Sequence, residues 1–258
     1  MTMLSSGKEK ALVTGASSGI GREIARVLAS QGCNLVITAR RRVELEALAN
    51  ELTEAFGIDV KVVVADLTDQ VGVENVIKES GEIDILVNNA GFGFVGKHVS
   101  LDQAGQLNMI DLNVRALTHL ARHYSAVMKA RDSGRILNVA SIAGYQPGPN
   151  MAVYCATKAY VLSYTRALHS ELKRTGVTVT ALCPGFVVTG FQKVAGMELG
   201  SMELTGAVPA DKVAKAAVKA MRKGRREVIP GWMNKGLPML VRMTPVRMQL
   251  PVVSWLMS

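Results

Sequence analysis

Cysteine is scarce in this chain of 258 residues: Cys33, Cys155 and Cys183 are odd in number and widely spaced. They form neither a CxxC pair nor a zinc-ligand pattern, which argues against a disulfide framework and against a metal site. A reducing compartment fits that usage. Internal repeats and low-complexity tracts are missing too. The longest charge-free run near the C-terminus, Met248 to Ser258, is too short to span a bilayer. The first strand-like segment, KALVTGA, begins near residue 10 and leaves no room for a secretory signal. The expectation is a non-secreted, cytoplasmic protein. Acidic residues are depleted in one region only: residues 211–258 carry ten Lys or Arg against Asp211 and Glu227, so +8 of the formal +9 lies there. Basicity confined to a tail does not point to a specific nucleic-acid partner.

Apolar residues, by contrast, are abundant, at 48% with a mean hydropathy of +0.20. That is ample for a buried interior, with some apolar surface left for a partner, ligand or lipid. From residue 10 to about 185, short β-branched runs (ALVTGA, NLVITAR, VKVVVAD, IDILVNNAG, GRILNVAS, VTVTALCPG, with EVIP later) alternate with amphipathic helical stretches. The pattern predicts an α/β, Rossmann-type doubly wound sheet of about seven parallel strands flanked by helices on both faces. Ligands of such a sheet bind at the carboxyl ends of the strands. Two of the helical stretches end at Gly32 and Gly176, both read as C-caps. Composition shifts near Gly231, where a segment with both tryptophans, several methionines and three prolines begins.

The first strand runs into Thr14-Gly15-Ala16-Ser17-Ser18-Gly19-Ile20-Gly21. Gly15 and Gly19 permit a tight turn close to a pyrophosphate, Gly21 permits close helix packing, and the following helix points its positive N-terminus at the phosphates. The second strand ends VITAR. Ala39 stands where an acidic residue would accept the ribose 2′-hydroxyl of NAD, and Arg40 and Arg41 follow with Arg42. A guanidinium matches a 2′-phosphate, which favours NADP(H) over NAD(H). Clustered cations are otherwise unfavourable at a helix start.

A second cluster is YCATK. Tyr154 and Lys158 lie four residues apart on one helix face. A free tyrosine with a pKa of about 10 is a poor proton carrier near neutrality, and a neighbouring ammonium favours its phenolate. Ser141 ends the fifth strand and can bond a substrate oxygen.

The G-x-x-x-G-x-G spacing, the NNAG run and the Ser141, Tyr154, Lys158 set together resemble the short-chain dehydrogenase/reductase family over roughly residues 8–230. The resemblance implies a nicotinamide-dependent oxidoreductase interconverting a carbonyl and a secondary alcohol. Tyr154 would exchange the proton, and Lys158 would set its acidity and hold the nicotinamide ribose. Asn113 would maintain a water-linked proton path to the lysine. It places Ser17, Ser18 and Ile20 with the glycines around the pyrophosphate, and Asp66 and Leu67 at the adenine, although an Asp there is also an ordinary helix cap. Asn88, Ala90 and Gly91 would line the adenine ribose, with a strand-bracing role for the asparagines equally open. Pro184, Gly185, Val187 and Thr189 resemble the family's PGxVxT turn at the nicotinamide carboxamide.

It also implies one domain over residues 1–230, with a variable substrate loop at 190–208, followed by an extension at 231–258. Met197, Leu199, Met202 and Leu204 in that loop, with Phe94, Tyr145 and Pro147 nearby, suggest a hydrophobic, lipid-like, steroid-like or aromatic substrate. His98 is read as an exposed loop residue, with a substrate contact as the alternative. Family members pair through helices at about 102–130 and 152–175, so a homodimer or homotetramer is expected. Leu112, Ala116 and Leu120 fit that interface or the sheet. The extension either packs on the body or over the cleft, or lies on an anionic membrane as a peripheral contact, and prolines 238, 245 and 251 are expected to break any continuous helix in it. A non-catalytic redox sensor or scaffold is the alternative function.

Overall fold

The strands of this protein, in a computed structural model that describes residues 7–187, 195, 207–231 and 233–256, are all parallel and form one sheet. They are β1 (Lys10–Thr14), β2 (Asn34–Ala39), β3 (Val60–Val64), β4 (Ile85–Asn88), β5 (Gly134–Val139), β6 (Val177–Leu182) and β7 (Glu227–Val228), in the order β3-β2-β1-β4-β5-β6-β7. Between and after them run α1 (Gly19–Ser30), α2 (Arg42–Phe56), α3 (Gln70–Ser80), α4 (Gln103–Ile110), α5 (Leu117–Ala130), α6 (Ala152–Glu171), α7 (Ala210–Arg222), α8 (Leu237–Met243) and α9 (Val246–Leu256). This is the doubly wound sheet that the alternation predicts.

The alternation of side chains along each strand divides the core in two. Ala11 and Val13 face α1, α2 and α7 on one side, with Leu45, Leu48 and Val213 buried against them. Leu12, between them, faces α3 and α5 on the other, with Val76, Leu120 and Tyr124. Pairing of Leu12 with both Val36 and Leu86 locks the central strand into this arrangement. A slip by one residue would turn each set to the wrong layer.

Three local expectations change on contact with the structure. First, α6 stops at Glu171 with Leu172 as its C-cap, so Gly176 does not terminate it. A Cβ at Gly176 would sit 1.7 Å from the carbonyl oxygen of Asp132, and its N–H donates to the Asp132 carboxylate at 2.6 Å. The glycine serves a backbone crossing. Second, Ala116 and Leu120 are buried and Leu112 partly so, in the layer under the sheet. The apolar residues exposed on the same stretch are Leu107 and Ile110. Third, Pro238 opens α8 and Pro245 lies in the break before α9, but α9 continues through Pro251. Proline removes a single donor, which costs a helix one bond without obliging it to end.

Candidate active site

Strand order reverses at β1, which has β2 on one side and β4 on the other. A crevice at such a switch point opens at the carboxyl ends of the strands, and most of the residues marked in the sequence gather there. The turn after β1 is tied to β2 by Gly15 N–H and Ala16 N–H, which both donate to the Thr38 carbonyl at 2.8 and 3.3 Å. Gly15 and Gly19 have φ of +68° and +56°, conformations that disfavour a side chain. Gly21 lets α1 close on the turn: a Cβ there would be 2.3 Å from the Asn89 amide nitrogen. Ile20 packs against the core below. Ser18 is the N-cap of α1 in extended conformation, and the first turn carries no acid, so the positive end of the helix faces the crevice uncompensated.

Arg41 reaches across to this turn, its Nη2 donating to the buried Ser17 hydroxyl at 2.9 Å. Arg40 instead lies 3.8 Å from the Asp66 carboxylate, with both groups exposed. Arg41 is also the N-cap of α2, and its charge there is offset by Glu44 at 3.4 Å. Asp66 does not cap α3. That place belongs to Asp69, whose carboxylate accepts from Val71 N–H, while Asp66 accepts from the Thr68 N–H and hydroxyl, both at 2.9 Å. Leu67 is buried in the core and lines a shallow recess with Thr68, Arg115 and His119.

The asparagine pair divides its work. Asn88 is buried and donates to the Asn138 side chain on β5 at 2.9 Å, a brace between strands. Asn89 donates to the Thr14 and Gly15 carbonyls at 2.9 and 3.2 Å, and the Thr14 hydroxyl accepts from the N–H of Asn89 and of Ala90. These bonds hold the glycine turn against the end of β4. The bracing role expected of the asparagine pair is thus met by both, and Thr14 is the contributor that the motif reading passed over, although a hydroxyl at the last position of β1 opposite an Asn-Asn pair was a usable signal.

Gly91 leads toward the reacting centre. A Cβ on it would lie 2.8 Å from Asn113 Oδ1 and 3.4 Å from Lys158 Nζ, so the backbone at this point passes directly beside both side chains. Asn113 sits in a π-helical segment, Asp111–Ala116, between α4 and α5. Such a bulge re-aims one side chain out of the regular helical spacing. The Asn113 side chain accepts from Phe92 N–H at 3.1 Å and donates to Phe92 O at 2.9 Å and to the Thr157 hydroxyl at 3.1 Å. Thr157 in turn donates to the Tyr154 carbonyl at 2.7 Å. It belongs to the same helix face as Tyr154 and was legible from its i,i+3 spacing.

Tyr154 and Lys158 project together from α6, with Lys158 Nζ 5.8 Å from the centre of the Tyr154 ring. The ammonium is buried and donates to Val139 O at 2.8 Å. Ser141 begins a 3-10 turn, Ile142–Tyr145, and its hydroxyl accepts from Ala143 N–H at 3.1 Å. Burial pushes the Tyr154 phenol up to about 12, partly opposed by a hydrogen bond from Ser141, and lowers Lys158 to about 8. The expectation that Lys158, together with the positive nicotinamide ring of an oxidised cofactor, favours the phenolate is set here against burial, which acts the other way in the chain by itself. Desolvation penalises the charged form of each.

Around Tyr154 the wall is apolar: Met109, Met151 and Cys155 are buried with it, and Phe92 and Phe94 meet edge to face at 5.4 Å. A small cleft here is lined by Phe94, His98, Met109, Met151 and Tyr154. Tyr145 does not join this wall. Its hydroxyl donates to Glu227, which Arg166 also grips at 2.6 Å. Burial pushes the thiols of Cys155 and Cys183 up to about 11 and about 12, as befits packing groups. Ile142 N–H donates to Pro184 O at 3.0 Å, Gly185 lies against Asn234, and Val187 is buried. Thr189 and Met197, Leu199, Met202 and Leu204 lie outside the described residues.

Residues 9–199 match the family described as short chain dehydrogenase. The chain belongs to that family. It is 36% identical to an uncharacterised oxidoreductase of Staphylococcus epidermidis over 219 residues, 83% of this chain and 91% of the relative. Among solved structures it resembles a short-chain dehydrogenase from Sphingobium yanoikuyae in complex with NADPH, at a TM-score of 0.81 and 32% identity over 92% of this chain and 96% of that one. A bulky-bulky ketone specific alcohol dehydrogenase from Comamonas testosteroni is similar at a TM-score of 0.76 and 30% identity, over 92% and 95% of the two chains. As a short-chain dehydrogenase this protein is an oxidoreductase that uses a nicotinamide cofactor. The crevice fits such a group. The uncapped positive end of α1, the close glycine backbone at the turn and a cation at the end of β2 suit a nucleotide diphosphate, and the narrow passage at Gly91 leads from there to Tyr154.

Proposed function

We propose that the chain reduces the carbonyl of a bulky, apolar ketone to a secondary alcohol, or runs the reverse oxidation, with NADP(H) in preference to NAD(H). The observation that carries this reading is the convergence of Ser141, Tyr154, Lys158 and Asn113 on one apolar-walled spot at the carboxyl edge of the sheet. The ketone handled by the similar Comamonas testosteroni enzyme supports the substrate class. Arg41 at Ser17, without an acid at position 39, supports the cofactor choice, because a 2′-phosphate there would meet a fixed cation.

When bound, the reduced nicotinamide supplies a hydride to the carbonyl carbon. The chain does the rest. The Ser141 hydroxyl donates to the carbonyl oxygen and orients it, and the Tyr154 phenol gives that oxygen its proton. Lys158, cationic below about pH 8, attracts the phenolate left behind. Asn113, through Phe92 and Thr157, fixes the helix face on which Tyr154 and Lys158 stand. Met109, Met151, Phe92 and Phe94 exclude water and hold apolar substrate. Because burial holds Tyr154 protonated through the neutral range, the chain is poised for reduction. Oxidation requires the phenolate, so its rate is expected to rise with pH while that of reduction falls.

In the same reading Gly15, Ser17, Ser18, Gly19 and Gly21 hold the pyrophosphate, Asp66 and Leu67 the adenine, Ala90 and Gly91 the ribose, and Pro184 and Gly185 the carboxamide. The cytoplasmic protein is a homodimer or homotetramer whose catalytic domain spans residues 1–230. A panel of apolar ketones and secondary alcohols, followed by absorbance of the reduced cofactor with NADPH and NADH, tests the proposal. Turnover with NADPH that Tyr154→Phe abolishes is the expected result. A panel without any Tyr154-dependent turnover overturns it and favours the sensor or scaffold.

A further inference from the structure

We propose that the exposed face of α8, continued onto α9, docks on an anionic lipid surface and holds the mouth of the crevice against it. Met239, Leu240 and Met243 share one face of α8, at i, i+1 and i+4, and are 69%, 64% and 73% exposed. On α9, Val246 and Leu250, at i and i+4, share a face and are 56% and 38% exposed, and Met248 is exposed as well. Exposed large apolar side chains concentrated on two consecutive short helices are unlike the singly scattered apolar residues of an ordinary surface.

The patch is built rather than frayed. Gln249 is buried, and its amide donates to Val241 O and Thr244 O at 2.8 and 2.7 Å, which ties α9 to the end of α8. Val253 is buried as well. At the other end, α8 packs against the 3-10 turn that begins at Ser141, and Asn234, just before α8, lies against Gly185. The extension therefore packs on the body beside the cleft and still turns an apolar surface outward. The two readings that the sequence leaves open are compatible.

Charge selects the occupant. From Ile229 to Ser258 the chain carries Lys235, Arg242 and Arg247 and no Asp or Glu, and Arg247 is exposed between Val246 and Met248. A second copy of this face would bring like charges together. An anionic bilayer interface would take the methionine and leucine side chains among its acyl chains and the exposed Arg247 at its headgroups. No helix among the described residues is long and apolar enough to cross a membrane, so the contact is one of lying on the surface.

The test is sedimentation of the full chain with vesicles of phosphatidylglycerol and phosphatidylcholine, and with vesicles of phosphatidylcholine alone. The chain is expected to pellet with the anionic vesicles, less with the neutral ones, and less again as salt is raised. The triple variant Met239→Asp, Leu240→Asp, Met243→Asp is expected to lower partition by at least roughly tenfold. Arg247→Glu, a gentler change at an exposed position, is expected to lower it about threefold or more. Failure of the wild-type chain to pellet with anionic vesicles overturns the proposal, as does unchanged binding by both variants. So does a self-associated wild type that the triple variant makes monomeric without any vesicle binding. Turnover of a water-soluble ketone is expected to be the same in Arg247→Glu as in the wild type, so sedimentation reports on the surface and turnover on the site.

Discussion

The two edges of the sheet use charge in opposite ways. At the amino ends of the strands, Glu9 receives both Arg135, at 2.8 Å, and Arg222. Arg131 pairs with Asp84 at 3.2 Å, and Asp84 accepts from the N–H of Lys10 at 2.8 Å. Each of these three guanidiniums has a carboxylate, while the Lys10 ammonium donates to Ser80 O at 2.6 Å. At the carboxyl ends, Lys158 is buried with a backbone carbonyl as its hydrogen-bond acceptor, and Tyr154 is buried among apolar side chains. One edge staples α7 and the loops to the sheet. The other accepts a desolvation penalty so that proton-transfer groups stand in a dry, weakly screened place. The guanidinium–carboxylate pairs at the amino edge hold structure, and the desolvated Tyr154 and Lys158 at the carboxyl edge mark the chemistry.

The largest expected effect on that contrast comes from Tyr154→Phe, which keeps the ring and its packing and removes only the hydroxyl. Turnover is expected to fall by about 10²- to 10⁴-fold, the range for a positioned general acid, while the thermal midpoint holds. A smaller effect tests the cofactor end of the same edge. Arg41→Ala removes the guanidinium beside Ser17 and is expected to raise KM for NADPH by roughly tenfold or more, the loss of one charge-assisted hydrogen bond, with KM for NADH little changed. Arg40→Ala, which breaks an exposed pair with Asp66, is expected to do less.

Lys158→Met sharpens the contrast through stability. The lysine's folded pKa is lowered to about 8. Below that pH both folded and unfolded chains carry the proton, and the folded one bears the full desolvation cost. Between about 8 and 10.5 the unfolded chain holds more protons, so stability rises with pH. Removing the amine is therefore expected to stabilise the protein at pH 7 by on the order of 2 kcal/mol while abolishing efficient turnover. Urea titrations of both proteins at pH 7 and pH 10 are expected to converge at the higher pH. A destabilised variant at pH 7 would mean that the buried ammonium is held more favourably than its burial implies.

Much of this edge was legible beforehand because backbone chemistry constrains it. The glycine turn, the β-branched strands and the YCATK spacing each correspond to a steric or periodic demand that short segments already express. What escaped depended on contacts distant in sequence. Gly176 is a glycine because Asp132, 44 residues earlier, passes over it. That Arg41, and not Arg40, reaches the turn depends on its contact with Ser17, 24 residues earlier. Asn113 was marked as a site residue by the family resemblance, but its contacts with Phe92 and Thr157, made from a π-helical segment, were not. Of the two places left open for Ala116 and Leu120, an interface or the sheet, the structure gives the sheet.

The smallest expected effect belongs to the stapled edge. Glu9 is partly exposed, and its pairs with Arg135 and Arg222 are screened by solvent. Glu9→Gln is therefore expected to cost only about 1 kcal/mol, a fall of about 2–4 °C in the thermal midpoint for a domain of this size. The glutamine can still accept a hydrogen bond from one guanidinium, which limits the loss, and turnover is expected to match the wild type because the crevice lies at the far end of the strands. If turnover fell while the midpoint held, the amino edge would be transmitting strain along the sheet to Tyr154, and the separation of structural charge from chemical charge would fail.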